Sequence, residues 1–171
     1  REAIEDLRKI SRNLSPSMLN EFGVCTAIDM LCSEFAAELP NVEVICAACV
    51  NEIRLPEAIK VAIYRVVQEA LNNIGKHADA QNIRVALLAE DTVLSLEISD
   101  DGNGFEPAAM PTKSARGLGL DSMRERVELT GGEFEITSAM GKGTIIHAAW
   151  PDAVLDLLGD EPVLDRENGH G

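Results

Sequence analysis

Two side chains that could handle phosphate and metal lie four residues apart near the middle of the chain. Glu69 and Asn73 fall within a segment of helical apolar periodicity, so a helix there would place both on one face. An Asn carbonyl oxygen can ligate Mg²⁺ together with phosphate oxygens and waters, and a nearby carboxylate can orient or deprotonate an attacking group. On these two residues alone, a polar helix edge in solvent is the better interpretation.

A second candidate is Asp100, which ends a strand-like run and is followed by Asp101, Gly102, Asn103 and Gly104. At the end of a strand, a carboxylate can accept a hydrogen bond from the exocyclic amine of adenine. The two glycines then permit a turn and a close approach of the backbone. A plain acidic turn explains the segment about equally well, because Asp-Gly is common in turns.

Gly117 and Gly119 form a third candidate segment, with Arg116 at its edge and a helical pattern after it. The free amides of a helix N-terminus can hold phosphate, although Gly-x-Gly alone is a weak signal. The order of the three segments is more specific than any one of them. Together they describe a nucleotide pocket, in which a helix supplies a carboxylate and an amide, an aspartate reads the base and glycines let the backbone approach phosphates.

The apolar pattern predicts the elements that must position these residues. Ile59, Ile63 and Val67 continue a helical stripe beside Glu69 and Asn73. Helices are predicted over 1–14, 19–39, 55–78 and 118–130, and strands over 42–50, 82–89, 92–99, 133–138 and 144–150. The sequence therefore predicts a mixed sheet interleaved with helices. Residues 106–116 lack apolar periodicity and are predicted to form a loop, a candidate mobile lid.

Two details of the predicted helices can be compared directly with a structure. Gly75 lies inside the longest helical stretch, where glycine costs roughly 1 kcal/mol relative to Ala and permits a close approach of a neighbour. The last helix is predicted to direct the following side chains to the core: Leu120, Met123, Val127 and either Leu118 or Leu129.

Composition limits the class of protein. The 171 residues are 46% hydrophobic but only 4% aromatic, which predicts one domain with an aliphatic core. The net charge of −14 argues against nucleic acid as a partner, because that binding rests on cationic contacts to phosphate. The same charge repels ATP at long range, so an ATP site would need local donors and a divalent metal. No run reaches the about 18 apolar residues that a membrane span requires.

The four cysteines raise the hypothesis of a zinc site at Cys46-x-x-Cys49. Structural zinc usually needs four ligands, and no second Cys/His pair has matching spacing. On a strand, these two side chains would also point to opposite faces. We therefore interpret the cysteines as buried thiols in a reducing cytoplasm.

Residues 20–151 resemble the ATP-binding domain of sensor histidine kinases, a branch of the gyrase, chaperone, kinase and mismatch-repair ATPase superfamily. Residues 68–78 resemble its N box, 100–105 and 117–126 its first two glycine boxes, and 141–144 its last glycine-containing turn. The resemblance implies a two-layer α/β sandwich, in which helices cover one face of a mixed sheet and ATP lies between helices and lid. The Met-Arg-Glu-Arg sequence at 123–126 and the short lid resemble the nitrate/nitrite-sensor subfamily.

The resemblance also implies roles for individual residues. Asn73 would hold Mg²⁺, and Glu69 would be the base or the carboxylate that orients the acceptor. Asp100 would bind adenine, with Thr144 near the base. The other residues implied at the cofactor lie near the phosphates or shape the pocket and lid: Lys76, His77, Gly102, Gly104, Arg116, Gly117, Leu118, Gly119 and Leu120.

The same resemblance divides the chain and implies partners. Residues 1–18 would end a truncated dimerisation and phosphoacceptor helix pair, 19–151 would form the catalytic domain, and 152–171 an acidic tail. The parent protein would be a homodimer, membrane-anchored or not, with this domain in the cytoplasm. It would act on a response regulator with a LuxR-type DNA-binding output. We expect the isolated chain to be a monomer.

The position of the phosphoacceptor follows from the three histidines of the chain. His77, His147 and His170 lie outside any acceptor motif. The chain starts at Arg1 within a helical pattern and without Met, and is expected to be part of a longer protein. We therefore expect it to bind Mg·ATP without phosphorylating itself. In the full protein, the γ-phosphoryl group would pass to a His outside this chain and then to an Asp of the regulator.

Two other functions fit the same fold. One is a serine kinase of the anti-sigma type, against which the dimerisation-like segment at 7–16 argues. The other is a non-catalytic module that senses ATP or binds a partner. The presence of both Glu69 and Asn73 argues against that second function.

Overall fold

The elements form in the predicted order along the chain. The computed structural model describes residues 15–48, 55–90, 92–106, 117–151 and 153. Predictions for 1–14, Cys49, the lid at 107–116 and the acidic tail other than Ala153 lie outside the described residues. The elements are α1 (Ser15–Glu38), β1 (Glu43–Ala48), α2 (Glu57–Asn73), β2 (Asn82–Glu90), β3 (Val93–Asp100), α3 (Gly117–Leu129), β4 (Glu133–Ser138) and β5 (Thr144–Trp150).

The five strands form one mixed sheet in the order β1-β2-β3-β5-β4. β1 runs parallel to β2, whereas the other neighbours are antiparallel. The three helices pack on this sheet and on one another. The predicted α/β fold class, a mixed sheet covered on one face by helices, is confirmed.

Alternation along the strands separates a core face from an open face. Val85, Ile98 and Ile146 are cross-strand neighbours and all three are buried under the helices. The next row holds Glu97 and His147, which are paired across β3 and β5 on the uncovered face. Because side chains alternate across a strand, the row with Val85 lies inside and the row with Glu97 lies outside.

The core is mostly aliphatic, as composition predicts, and includes a few aromatic residues. Trp150 is fully buried, and its indole Nε1 donates a hydrogen bond to Thr130 Oγ1 at 2.9 Å. This bond satisfies the single polar atom of the largest core side chain. None of the described helices is long and apolar enough to cross a membrane.

Helix α1 begins earlier than predicted and contains a kink. At Gly23 the backbone has φ 80° and ψ 169°, a conformation that glycine adopts readily and other residues avoid. Leu19 before the kink and Val24 after it are both buried. The kink therefore allows both halves of α1 to contribute to the core.

The sequence predicted one helix over 55–78, but helix α2 does not continue to Ala78 as a regular α-helix. It ends at Asn73 and is followed by one π-helical turn at Ile74–Ala78. Gly75 lies in this turn against α1, where an added Cβ would be 3.1 Å from Phe35 Cε2. Asp79 then ends the helix with a left-handed φ of 51°. Such single π-turns are frequent at functional sites.

In α3, Met123 and Val127 are buried and Leu120 is half-buried, as predicted. Of the two alternatives for the fourth core position, Leu129 is wrong, because its side chain is 80% exposed. Two residues along a helix correspond to a rotation of about 200°, so Leu129 lies nearly opposite Val127. The side chain of Leu118 lies outside the described residues.

Three of the cysteines lie where α1 meets β1. Cys25, Cys32 and Cys46 are not in disulfide bonds. Burial raises the pKa of the Cys32 thiol well above its usual range. Because the thiolate is the reactive form, burial and the raised pKa both disfavour reactions at Cys32. Within the described residues, no group of three or more His, Cys, Asp or Glu side chains could hold a metal ion.

Candidate nucleotide-binding site

A cavity of ≈ 340 Å³ opens where the helices meet one end of the sheet. Seven of the predicted site residues line it: Asn73, His77, Asp100, Gly104, Gly119, Leu120 and Thr144. They come from α2 and its π-turn, the first turn of α3, and the ends of β3 and β5. The three sequence segments therefore meet at one cavity, as the motif order predicts.

Asp100 lies at the end of β3, directly opposite Thr144 of β5. Its carboxylate Oδ1 accepts a hydrogen bond from the Gly102 backbone N–H at 2.9 Å, and the carboxylate also accepts one from the Thr144 backbone. Burial nevertheless raises the pKa of Asp100 above its usual value, because the cavity walls remove water from the carboxylate. The carboxylate is thus held rigidly and still offers acceptor positions to a ligand.

At its glycines, the loop after Asp100 is packed too closely against neighbouring backbone for a side chain. A Cβ at Gly102 would collide with the Ala78 carbonyl oxygen, and the next residue, Asn103, donates its N–H to that same oxygen at 2.6 Å. Gly102 therefore does not line the cavity but joins the loop to the π-turn of α2. The predicted role of this glycine in shaping the pocket is indirect.

The Asp101 carboxylate, unlike that of Asp100, is hydrogen-bonded to residues at the start of β2. It accepts hydrogen bonds from the backbone N–H groups of Gln81 and Asn82, each at 2.8 Å, and from Asn82 Nδ2 at 2.7 Å. The Asn82 side chain and backbone hold the pKa of Asp101 below its usual value. Asp101 thus joins the start of β2 to the end of β3 on the exposed side.

The turn between β4 and β5 closes the cavity beside Asp100. Gly143, with φ 73°, lies so close to Asp100 that a Cβ would collide with the Asp100 carbonyl oxygen. Gly104 is similarly close to the carbonyl oxygen of Ala139, and Gly141 donates its N–H to the Asn103 carbonyl at 2.6 Å. The loop and the turn are therefore one packed unit.

On the opposite side of the cavity, Glu69 and Asn73 share one face of α2, as predicted. An added Cβ at Gly119 would collide with Glu69 Oε1 and lie 3.4 Å from Asn73 Nδ2. Glu69 and Asn73 are both half-buried. The carboxylate and amide therefore lie together against the first turn of α3, at the rim of the cavity.

The other predicted residues are less closely tied to the cavity. Lys76 is exposed on the π-turn. Gly117 begins α3, whereas Arg116 and the Leu118 side chain lie outside the described residues. Phosphate contacts by these residues remain predictions.

Sequence reasoning did not identify the apolar side of the cavity. Its unpredicted lining residues are Ala70, Ile74, Ala78, Ile98, Phe105, Ile136 and Ile146. Several of them belong to apolar stripes that the periodicity assigned to the core. Apolar residues that line a ligand cavity and apolar residues that pack in the core have the same composition. A single sequence therefore does not distinguish the two.

The side chains at this site supply only some of the ligands that a divalent ion needs. Asn73 and Glu69 offer oxygen atoms, the ligand type that Mg²⁺ prefers. The protein alone supplies too few ligands, since no group of three acidic, His or Cys side chains is gathered within the described residues. The fit is therefore to an ion completed by phosphate oxygens and waters, which is how Mg²⁺ commonly binds.

Comparisons with known proteins agree with this geometry. The family described as histidine kinase-, DNA gyrase B-, and HSP90-like ATPase matches residues 58–154. The sensor histidine kinase MctS of Rhizobium johnstonii (strain DSM 114642 / LMG 32736 / 3841) is 34% identical over 149 residues, which are 87% of this chain and 32% of that protein. The chain therefore spans about a third of the length of that relative.

Solved structures show the same fold. The histidine kinase domain of a blue-light activated kinase from Erythrobacter litoralis EL346 has a TM-score of 0.66 at 20% identity, covering 79% of this chain and 64% of that one. The Acinetobacter baumannii histidine kinase AdeS has a TM-score of 0.61 at 13% identity, covering 87% of this chain and 80% of that one. At these identities the likeness concerns the fold alone.

Proposed function

The chain belongs to the histidine kinase-, DNA gyrase B-, and HSP90-like ATPase family, and from that premise we propose that it binds Mg·ATP as the catalytic domain of a sensor histidine kinase. The observation that carries the proposal is the position of Asp100. Its carboxylate is held at the sheet end of a cavity whose other side carries Glu69 and Asn73. A nucleotide can span such a cavity with its base at one end and its phosphates at the other.

Asp100 would accept a hydrogen bond from the exocyclic amine of adenine. Ile98, Ile136 and Ile146 on the sheet side would contact the faces of the base, because apolar walls favour a planar ring over water. The Thr144 hydroxyl lies beside Asp100 and would complete the polar edge. The cavity thus provides both the apolar contact and the directional bond that base recognition needs.

Asn73 would hold Mg²⁺ through its side-chain oxygen, and Glu69 would orient or deprotonate the attacking imidazole. The ion, when bound, would neutralise charge that develops on the phosphates during transfer. Lys76 and His77 are both exposed on the π-turn. Lys76 would add local positive charge near the phosphates, and His77 would add a hydrogen-bond donor. Local cations matter here because the chain as a whole carries a net charge of −14.

The chain spans about a third of a relative's length. We therefore also propose an activity for the whole protein. The γ-phosphoryl group would pass to a histidine outside this chain and then to an aspartate of a response regulator. We further propose that residues 1–18 end the dimerisation helix pair, 19–151 form the catalytic domain and 152–171 form an acidic tail. The parent protein would be a homodimer with this domain in the cytoplasm, and the regulator would have a LuxR-type output.

The direct test is calorimetric titration of the chain with ATP, with and without Mg²⁺, for the wild type and Asp100→Asn. The variant should bind ATP roughly 10- to 100-fold more weakly, because one hydrogen bond to a charged group is lost. Asn can still accept from the Gly102 N–H, so the fold should persist. Mg²⁺ should strengthen binding to the wild type.

The matched control is Glu97→Gln, which removes one carboxylate from the same strand on the open face. It should bind ATP as the wild type does. If Asp100→Asn also bound ATP as tightly as the wild type, the assignment of Asp100 to the base would be wrong. If the wild type bound no ATP in either condition, the nucleotide-binding proposal itself would be overturned.

A further inference from the structure

Three cysteine side chains that the proposed function does not use lie where α1 meets β1. Cys25 and Cys32 belong to α1 and Cys46 belongs to β1, and none of the three is in a disulfide bond. In the register of the sheet, Cys46 pairs with Val85, which is buried under the helices. Paired residues lie on the same face of a sheet, so Cys46 points to the helix-covered face, where it packs against the core.

The thiols of Cys32 and Cys46 are hydrogen-bonded to each other across the contact between α1 and β1. Burial, and after it the neighbouring Cys46 sulfur, raises the pKa of the Cys32 thiol. Cys32 therefore keeps its proton and donates it, and the Cys46 sulfur accepts. Two sulfur atoms that face each other from adjacent backbone segments meet the first requirement for a disulfide bond.

Cys46 differs from Cys32 in its access to solvent. Cys32 is only 3% exposed, whereas Cys46 is half-buried and lines a second cavity, of ≈ 300 Å³, between α1 and β1. The α1 side of this cavity is formed by Cys25, Thr26 and Asp29. A small oxidant can therefore reach the Cys46 sulfur through the cavity, but not the Cys32 sulfur.

We propose that Cys46 and Cys32 form a reversible oxidation site, at which a peroxide converts the two thiols into a disulfide bond between β1 and α1. The site is separate from the nucleotide cavity, and the proposal does not rest on nucleotide binding. Both thiols are reduced until an oxidant reaches them, as is usual for cysteine pairs of this kind in a reducing compartment.

With hydrogen peroxide, the first step takes place at Cys46. Its sulfur attacks one peroxide oxygen, the O–O bond breaks, and the thiol proton leaves with the other oxygen as water, so that Cys46 becomes a sulfenic acid. The thiol has then lost the two electrons that the peroxide has gained.

In the second step, the Cys32 sulfur attacks the Cys46 sulfur. The S–S bond forms, the S–O bond breaks, and hydroxide leaves with the Cys32 proton as a second molecule of water. The raised pKa of Cys32 slows this step, because the thiolate is the better nucleophile. Contact between the two sulfurs favours the step, because the reaction is intramolecular and needs no access from solvent.

The test is oxidation of the chain with Cys25→Ala and Cys49→Ala, which keeps only Cys32 and Cys46 of the four cysteines. After treatment with hydrogen peroxide and unfolding, a maleimide should label neither thiol, and dithiothreitol should restore the labelling of both. The product should be a monomer on a non-reducing gel, because the bond lies within one chain. Full labelling after peroxide, a loss of labelling that dithiothreitol did not reverse, or a disulfide-linked dimer would each overturn the proposal.

The matched control is the chain with Cys32→Ala and Cys49→Ala, which keeps Cys25 and Cys46, two residues that line the same cavity. The sulfenic acid on Cys46 then lacks its partner, so dimedone should trap it there. If this control formed a reversible disulfide as readily as the first variant, the assignment of Cys32 as the partner would be wrong.

The wild-type chain provides a check that needs no substitution. Cleavage after glutamate cuts at Glu34 and Glu43 and so separates Cys32 from Cys46. After peroxide, the fragment with Cys46 should be linked to the fragment with Cys32, and mass spectrometry identifies the pair. A bond between Cys46 and Cys49 within one fragment would overturn the proposal instead.

Discussion

The two sides of the cavity are built by different kinds of contact. The sheet side comprises Asp100, Thr144, the loop 101–105 and the turn 139–143. Here Gly102, Gly104 and Gly143 lie against carbonyl oxygens with no room for a Cβ. Backbone hydrogen bonds of 2.6 Å join the loop to the π-turn and to the β4–β5 turn. This side cannot adjust without moving several strands.

The helix side comprises Glu69, Asn73, His77 and Gly119. Its contacts involve the ends of side chains: Gly119 lies against the Glu69 carboxylate, and His77 is exposed. A flexible side chain can rotate where a packed carbonyl cannot. Under the proposed function, the sheet side would bind the base with a fixed geometry, whereas the helix side would leave phosphate and metal room to move during transfer.

The largest effect is expected from Gly143→Ala on the sheet side. The new Cβ would collide with the Asp100 backbone and force a φ of 73° on an L residue, so we expect a loss of about 2–5 kcal/mol from the free energy of unfolding, strain and overpacking together. Urea denaturation measures this loss. Gly141→Ala is the matched control, because its φ is 69° but nothing lies within 4 Å of the added Cβ.

Gly141→Ala should cost only the backbone strain of about 1–2 kcal/mol. Equal losses in the two glycine variants would mean that close packing adds nothing to stability at the turn, and that the sheet side is no more rigid than the helix side.

The next effect concerns catalysis on the helix side. In the full-length protein, Glu69→Gln should reduce the rate of phosphotransfer by at least about 100-fold, the lower end for loss of a general base. ATP affinity should change by less than about threefold, since Glu69 lies at the rim and not in the cavity lining. Phosphohistidine formation from labelled ATP, beside calorimetric affinity, separates the two quantities.

Glu57→Gln provides the control for Glu69, because Glu57 is exposed in the first turn of the same helix. Undiminished phosphotransfer in Glu69→Gln would exclude the catalytic role. If ATP affinity and the rate of phosphotransfer fell together, Glu69 would act in ATP binding instead. The contrast between the sheet side and the helix side of the cavity would then weaken.

The smallest effects are expected from the adjacent aspartates, with opposite dependence on pH. The pKa of Asp101 is lowered, so its contribution to stability is present above its unfolded pKa of about 3.9 and is lost as pH falls through the folded value. Because Asp101 is exposed, Asp101→Asn should cost less than about 1 kcal/mol at pH 7, and the difference should shrink below pH ~4.

The pKa of Asp100 is raised, so its contribution is fully present below its unfolded pKa and is lost as pH rises through the folded value. Asp100→Asn should therefore gain stability relative to the wild type as pH increases across that range. Thermal unfolding of both variants between pH 3 and 7 measures the two trends. If both variants followed the same trend, the two carboxylates would have the same environment, contrary to their hydrogen bonds and burial.

Much of this molecule could be predicted from local patterns. The helices and strands follow from periodicity, because that signal depends on near neighbours in the chain, whereas the meeting of the three polar segments was predicted from their order and from the family resemblance. The π-turn at Ile74–Ala78 did not follow, since the apolar pattern there does not distinguish it from the end of a regular α-helix, and Phe35, which lies near Gly75, comes from a different helix. The sequence left Leu129 open as a core residue of α3. Only the orientation of α3 in the folded chain decided against it.

The sequence by itself determined which residue types could bind a nucleotide: a carboxylate and an amide one helical turn apart, an aspartate at a strand end, and glycines where the backbone must approach closely. Only the tertiary structure decided what each of them faces. Asp100 and Asp101 are adjacent and identical in type, yet strand alternation directs one into the cavity and the other to Asn82. Ser138 lies beside Thr144 because β4 and β5 pair in one register. Pairing between strands is a non-local contact, so its consequences appear only when the chain is folded.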